Sequence, residues 1–424
     1  MHHQMRQNLI NYKFSMKKFN SLLLMFSAVV IGFTSCVDGN DKPTPTPEPD
    51  DNGILITSNI SENTTWETGK TYVLGGRIAV TAGNTLTIQP GVVVKGEVGS
   101  GSNATALIIA RGAKIDAQGT AASPIIFTTV ADEIAPGQIA SPNLESNISG
   151  LWGGLIILGK AKASLSGDVT ETQIEGIPPS DTNGLYGGSD DADNSGSLKF
   201  VSIRHGGANI GEGNEINGLT LGAVGSGTVI ENIEVIGNQD DGIEWFGGTV
   251  NVKNAIVWNA GDDALDTDQA WAGTLDNFIV VAGDETDHAL EIDGPEGSYL
   301  AGHTLKNGTV IGSAAAEMAD FRDGIIGTFE NIYFLNFPDP ATTDGLGDFS
   351  LSGDKTLATF AEGTLKFANL EATLAEGVVI SAVFKGGTAA FATSVAAGAN
   401  TVGADASAFA NWSWTEESGA ISDL

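Results

Sequence analysis

The sequence predicts an all-β chain, a parallel β-helix with a coil of about 22 residues and a C-terminal cap. Two patterns and the composition carry that reading. Asn232, Asn254, Asn277, Asn307 and Asn331 stand at the centre of IENIEVIGN, VKNAIVWNA, LDNFIVVAG, LKNGTVIGS and FENIYFLNF, at intervals of 22, 23, 30 and 24. Each is followed by short β-branched or aromatic alternation, the mark of a strand with one buried face. No window holds a sustained helical period, and turn formers return every few positions. The 56 Gly and 7 % aromatics suit an elongated repeat better than one large mixed core. In such a solenoid each coil touches only its neighbours, and inward Ile, Val and Leu stack into a continuous core. The aligned asparagines are expected at a corner, bonded to backbone and to one another.

Taken in order, residues 1–35 read as a secretory signal with its effective start at Met16. MKKFNSLLLMFSAVVIGFTSC has two lysines, an apolar run too short to span a bilayer, and small residues before a cysteine. Residues 36–53 continue from that cysteine with acids and then alternating Pro, an extended and semi-rigid stalk. Residues 54–335 hold the β-helix. Its N-terminal half offers LTIQPGVVVKGEV from 86, LIIARGAKIDAQG from 107 and LIILGKAKASLSG from 155, which align with a first step of 21 residues. The polar, Pro-containing text at roughly 131–150 reads as a protruding loop. Residues 336–424 are expected to finish the solenoid with irregular coils and a cap. There Phe409, Trp412 and Trp414 would plug an open end whose strand edges otherwise invite aggregation.

The formal net charge is −32, and the first 35 residues carry Arg6, Lys13, Lys17 and Lys18 but no acid, so the rest is more acidic still. Such a surface repels nucleic acid and anionic lipid and favours cations or neutral partners. With one cysteine, no intramolecular disulfide forms.

FTSC resembles the lipobox of bacterial lipoproteins, whose cysteine, here Cys36, becomes the lipidated first residue. The acids just behind it resemble the signal that sends Bacteroidota lipoproteins to the outer leaflet of the outer membrane. TIQPGVVVKG, LWGGLIILG, QDDGIEWFGG and the asparagine ladder, over roughly residues 54 to 335, resemble the pectin-lyase-like β-helix superfamily, and more narrowly the β-helix lipoproteins of Bacteroidota. The resemblance implies a right-handed, single-stranded parallel β-helix. It leaves activity open, since that superfamily includes polysaccharide lyases, glycoside hydrolases and adhesins.

Acidic residues keep step with the ladder. Asp240 and Asp241 lie 8 and 9 residues after Asn232, Asp262 and Asp263 lie 8 and 9 after Asn254, and Glu244 and Asp266 both fall at 12. Equal offsets in adjacent coils put side chains roughly 5 Å apart, so these acids form columns on one side of the solenoid. The next coil, GDETDHALEID, brings His288 and Glu291 beside them if two extra residues are absorbed in a turn, and DFRDGIIG then offers Asp320, Arg322 and Asp323.

Three chemistries compete for the columns. GDDAL resembles the double-Asp motif of polygalacturonase-type hydrolases. That resemblance casts Asp241, Asp262 and Asp263 as acid and base, with His288 beside them and Arg322 holding a substrate carboxylate. His288 sits in DHA rather than the family's Gly-His-Gly, and no lysine closely follows Arg322. Alternatively, Asp240, Asp241, Asp263, Glu244 and Asp266 supply oxygens to Ca²⁺. In the third reading Asp-Asp-Gly is turn chemistry alone, with Asp side chains bonding nearby backbone N–H groups. Trp245 and Trp271 flank the acidic turns and are the candidate stacking surfaces for sugar, whereas Trp258 lies within a strand and reads as core. His205 and His303 read as turn or packing residues. The expected protein is an outer-membrane lipoprotein that binds an extracellular ligand, glycan or a surface protein. A polysaccharide hydrolase or lyase, and an accessory subunit of an outer-membrane transporter, stand as alternatives.

Overall fold

The computed structural model describes residues 53–424 except 211–215 and 344; the signal segment, Cys36 and the stalk lie outside the described residues. The architecture is a right-handed parallel β-helix, in which, among the described residues, strands of successive coils stack into one sheet of 15 strands and a second of 9. Inward side chains from both sheets make one apolar column that runs from Ile60 to Phe384. Among the described residues no helix is long and apolar enough to cross a membrane.

The asparagines occupy the predicted corner of the larger sheet. Asn232, Asn254, Asn277, Asn307, Asn331 and also Asn369 adopt φ between 52° and 65°. Strand pairing continues on both sides of each, as in Glu231 with Lys253 and Ile233 with Ala255. A left-handed residue turns the chain here, and Asn bears that conformation better than other residues with a Cβ. Its amide then bonds the coil below: Asn254 Nδ2 donates to Asn232 Oδ1 at 2.8 Å, Asn277 to Asn254 at 2.8 Å, Asn331 to Asn307 at 3.2 Å and Asn369 to Asn331 at 3.0 Å. The ladder breaks once, where Asn307 Nδ2 donates to Asp276 Oδ1 instead, because Asn277 Oδ1 accepts the Asp405 N–H at 2.6 Å.

Three expectations need correction. Leu107 pairs with Leu155 as aligned, but Leu86 pairs with Ile115, so the first N-terminal step is 29 residues and not 21. Both quoted segments carry the same strand and glycine-turn text, with Gly91 at φ 76° and Gly112 at φ 87°, yet they serve different corners. The shared turn chemistry marks a turn type, not a position in the coil. A ten-residue α-helix, Gly353–Glu362, was not foreseen; only Thr356 of it is buried, so it writes no helical period into the sequence.

The third correction concerns the C-terminus. The coils continue past residue 335 with the strand Leu365–Ala372 paired to Gly327–Leu335. The remaining chain then runs back along the outside of the larger sheet, and Phe409, Trp412 and Trp414 do not plug the end. Thr401 caps Glu371, Ala404 N–H donates to Thr309 Oγ1, and Thr415 N–H and Oγ1 both donate to Glu234 Oε1 at 2.9 Å. Phe409 and Trp412 pack on Ile256 and Ile279, outward residues that this strap removes from water. Trp414 covers Arg204, 5.0 Å from the ring centroid, above the buried Arg204–Glu234 pair.

Candidate functional site

The smaller sheet carries the acids. In its strands Ile243–Phe246, Leu265–Asp268, Leu290–Ile292 and Ala319–Phe321 the first and third residues face the core and the second faces outward. Pairing aligns those second residues across consecutive coils as Thr220, Glu244, Asp266, Glu291, Asp320 and Ser350. Four carboxylates therefore stack at strand spacing.

A second column lies in the preceding turns. Asp263 N–H donates to Asp241 Oδ1 at 3.0 Å, and His288 N–H donates to Asp263 Oδ1 at 2.8 Å. His288 Nδ1 lies 2.8 Å from the same Asp263 oxygen, while Nε2 faces Glu317 at 3.6 Å. The two extra residues of GDETDHALEID are absorbed in the turn, so His288 and Glu291 take the predicted places. A third column lies two residues beyond the first: Asp268, then Asp293, then Arg322. Arg322 grips Asp293 with Nε and Nη2 at 2.7 and 3.1 Å and reaches Glu291 with Nη2 at 2.6 Å.

Burial decides the charge states. Asp241, Glu244 and Asp266 bring carboxylate oxygens within 4.8 Å of one another, and all three are buried. Burial first, and then the neighbouring carboxylates, hold each well above the usual carboxylate range. The same causes push Asp268 to about 7. Glu291 rises to about 9 through burial and the nearby Asp263, against the opposing pull of Arg322. Burial lowers His288, but its bond to Asp263 and the surrounding acids outweigh that and raise it to about 9. Near neutral pH the site therefore sets a cationic His288 and Arg322 near Asp241, Glu244, Asp266 and Glu291, whose carboxyls are pushed toward the protonated form.

The predicted residues separate by their surroundings. Asp241 and Asp263 are buried staples between coils; Asp240 and Asp262 sit at the more open edge, in a second carboxylate trio with Asp241. Arg322, Glu291 and Asp293 form one ion-pair network. Trp245 and Trp271 are not sugar-contact surfaces: both are fully buried and stack on each other inside the solenoid at 4.8 Å. The pleat requires this, since the residue after outward Glu244 must point inward. Trp258, expected in the core, is instead partly exposed. His205 and His303 are buried packing residues, and His303 lies against Trp271.

Two participants escaped the sequence reading. Asn217 donates from Nδ2 to Glu244 Oε2 and to Glu175 Oε1. Asp293 follows Glu291 by two residues, as Asp268 follows Asp266, so the alternation in LDTD and LEID was the signal that could have revealed it.

The family described as pectate-lyase like beta helix domain matches residues 58–417. No curated protein and no solved structure matches the chain.

Proposed function

Because the chain belongs to the pectate-lyase-like β-helix family, we propose that it serves glycan recognition at the cell surface, as a binding protein anchored through Cys36 to the outer membrane. The observation that carries binding over catalysis is the state of Asp241 and Asp263. Both are buried, and both are occupied in accepting a backbone N–H from the next coil. A general acid or base must instead reach a glycosidic oxygen or a water. Arg322, with its guanidinium committed to Asp293 and Glu291, is likewise turned toward the protein.

The columns also support a calcium proposal. Asp266 Oδ1 is buried without a hydrogen-bond partner, beside Asp241 and Glu244. Three carboxylates with an unused oxygen match the hard donor set that Ca²⁺ takes. Asp241, Glu244 and Asp266 would hold the ion, which would supply positive charge and tie two adjacent coils together.

The test is product release by the full chain against neutral and acidic polysaccharides, counting both reducing ends and unsaturated ends, with Asp262→Asn and Asp263→Asn as controls. Binding without turnover is the expected result. Turnover lost in either variant would replace the binding reading by a hydrolase or lyase. Absence of both, with co-purification of a membrane partner, would favour an accessory subunit of an outer-membrane transporter.

A further inference from the structure

A groove of about 620 Å³ lies at the corner between the two sheets, where Gly261 leads into Asp262. That volume falls inside the range of roughly 300–1,000 Å³ common to ligand sites. One wall is the insertion at residues 131–150, which the β-helix itself does not require. The insertion is fastened at its base: His205 Nδ1 meets Ile148 O at 2.6 Å, Gly150 N–H donates to Gly206 O at 2.6 Å, and Asn259 Nδ2 donates to Ser146 Oγ at 3.0 Å. Behind the opposite wall, Asn238 Nδ2 donates to Asp241 O at 2.7 Å and ties the groove to the acidic turn. Such a wall is formed before any ligand arrives, which lowers the ordering cost of binding.

The lining has a definite chemistry. Trp258 contributes a partly exposed indole whose position is set from behind by Trp414 of the C-terminal strap, 6.1 Å away in a T-shaped contact. Around it stand amides and hydroxyls such as Asn147, Asn259 and Ser149, with the carboxylates of Asp284 and Glu285 at the rim. Among the described residues no lysine or arginine lines the groove. An apolar ring matches the C–H face of a pyranose, and amides and carboxylates accept from or donate to its hydroxyls. A polyuronate would meet like charge with no cation to receive it.

We infer that this groove is a binding site for a neutral, hydroxyl-rich oligosaccharide, with Trp258 as its stacking platform. The inference rests on the glycan-binding reading and adds the place and the class of sugar. It separates the ligand site from the acidic columns, and it departs from an anionic, pectate-type ligand.

The test titrates the full chain with neutral oligosaccharides of glucan, xylan and mannan type and with oligogalacturonate, reading indole fluorescence and heat. At least one neutral oligosaccharide should bind, oligogalacturonate should bind at least about tenfold more weakly, and Trp258→Ala should weaken neutral binding by about tenfold or more. Trp258→Phe should recover part of the loss. Asn147→Ala, on the insertion and away from the solenoid core, should also weaken binding, so the site stays testable if Trp258→Ala fails to fold. Neutral binding unchanged in Trp258→Ala and Asn147→Ala would overturn this site and leave glycan binding standing. Oligogalacturonate as the sole ligand would overturn the class of sugar and also leave glycan binding standing. Failure to bind any saccharide would remove both.

Discussion

The asparagine ladder and the carboxylate columns stand on two sheets of one solenoid, and each repeats one kind of side chain from coil to coil, yet only the ladder closes most of its side-chain hydrogen bonds with itself. A primary amide has both donors and an acceptor, so Asn254 can receive from Asn277 while giving to Asn232. A carboxylate only accepts when ionised. Its column therefore needs donors inserted from elsewhere, or retained protons, or a cation. Each solution occurs along the smaller sheet. Asp320 Oδ1 accepts from Ser350 and Ser352 at 2.7 and 2.6 Å, Glu291 has Arg322, Glu244 has Asn217, and Asp263 has His288. Asp266 Oδ1 is the gap in that series. The same repeat that stabilises one corner thus leaves stored electrostatic cost at the other.

The largest expected effect breaks the ladder. Asn254→Val loses two amide bonds and forces a β-branched residue into φ 57°, so it should cost roughly 3 kcal/mol or more in a denaturant titration. Asn254→Gly relieves the backbone and should cost only about 1–2 kcal/mol. Equal losses in the two variants would mean that the left-handed corner carries no strain.

Next in size is the reverse effect in the carboxylate column. Asp266→Asn keeps the shape but cannot ionise and brings amide donors to the neighbouring carboxyls, and in chelator at pH 8 it should stabilise the protein by about 1–2 kcal/mol. Calcium should raise the melting temperature of the parent chain, and that rise should vanish in Asp266→Asn. A variant less stable than its parent, with no calcium response in either, would mean that Asp266 is already satisfied.

A smaller and more gradual effect follows from the raised carboxyls. In the unfolded chain these groups release their protons near their ordinary values, about 4, whereas Asp268 and Glu291 hold theirs to about 7 and about 9 in the fold. The native state therefore binds more protons over that window. Its stability should be fully present below about 4 and decline as pH rises toward 9. His288, also raised to about 9, acts in the same direction, since its added stability is lost as pH passes that value. Melting temperatures measured from pH 5 to 9 should fall steadily in chelator and more shallowly with calcium. A rising profile would contradict the assigned protonation.

The smallest effect sharpens the comparison at its exposed edge. Arg322 is about one-third exposed, so solvent screens its pairs, and Arg322→Gln should cost only about 1 kcal/mol. Double-mutant coupling with Asp293→Asn would measure the pair itself. A loss several times larger would place Arg322 among the buried groups in energetic terms.

Sequence by itself determined the solenoid, the corner asparagines and the acidic columns, because each is written in spacing along the chain. Outward and inward residues alternate every second position, and equivalent positions recur at about 22. Even His288 and Glu291 were placed correctly once a turn absorbed two residues. The tertiary structure alone decided the N-terminal register, since one strand and turn text serves two corners there. It decided which tryptophans face water, because Trp245 takes the inward place beside outward Glu244. It also decided the path of the C-terminal strap and the groove, through contacts such as Thr415 with Glu234 and Asn259 with Ser146, separated by 181 and 113 residues. Contacts so distant leave no periodic trace in a single chain, and only packing brings their partners together.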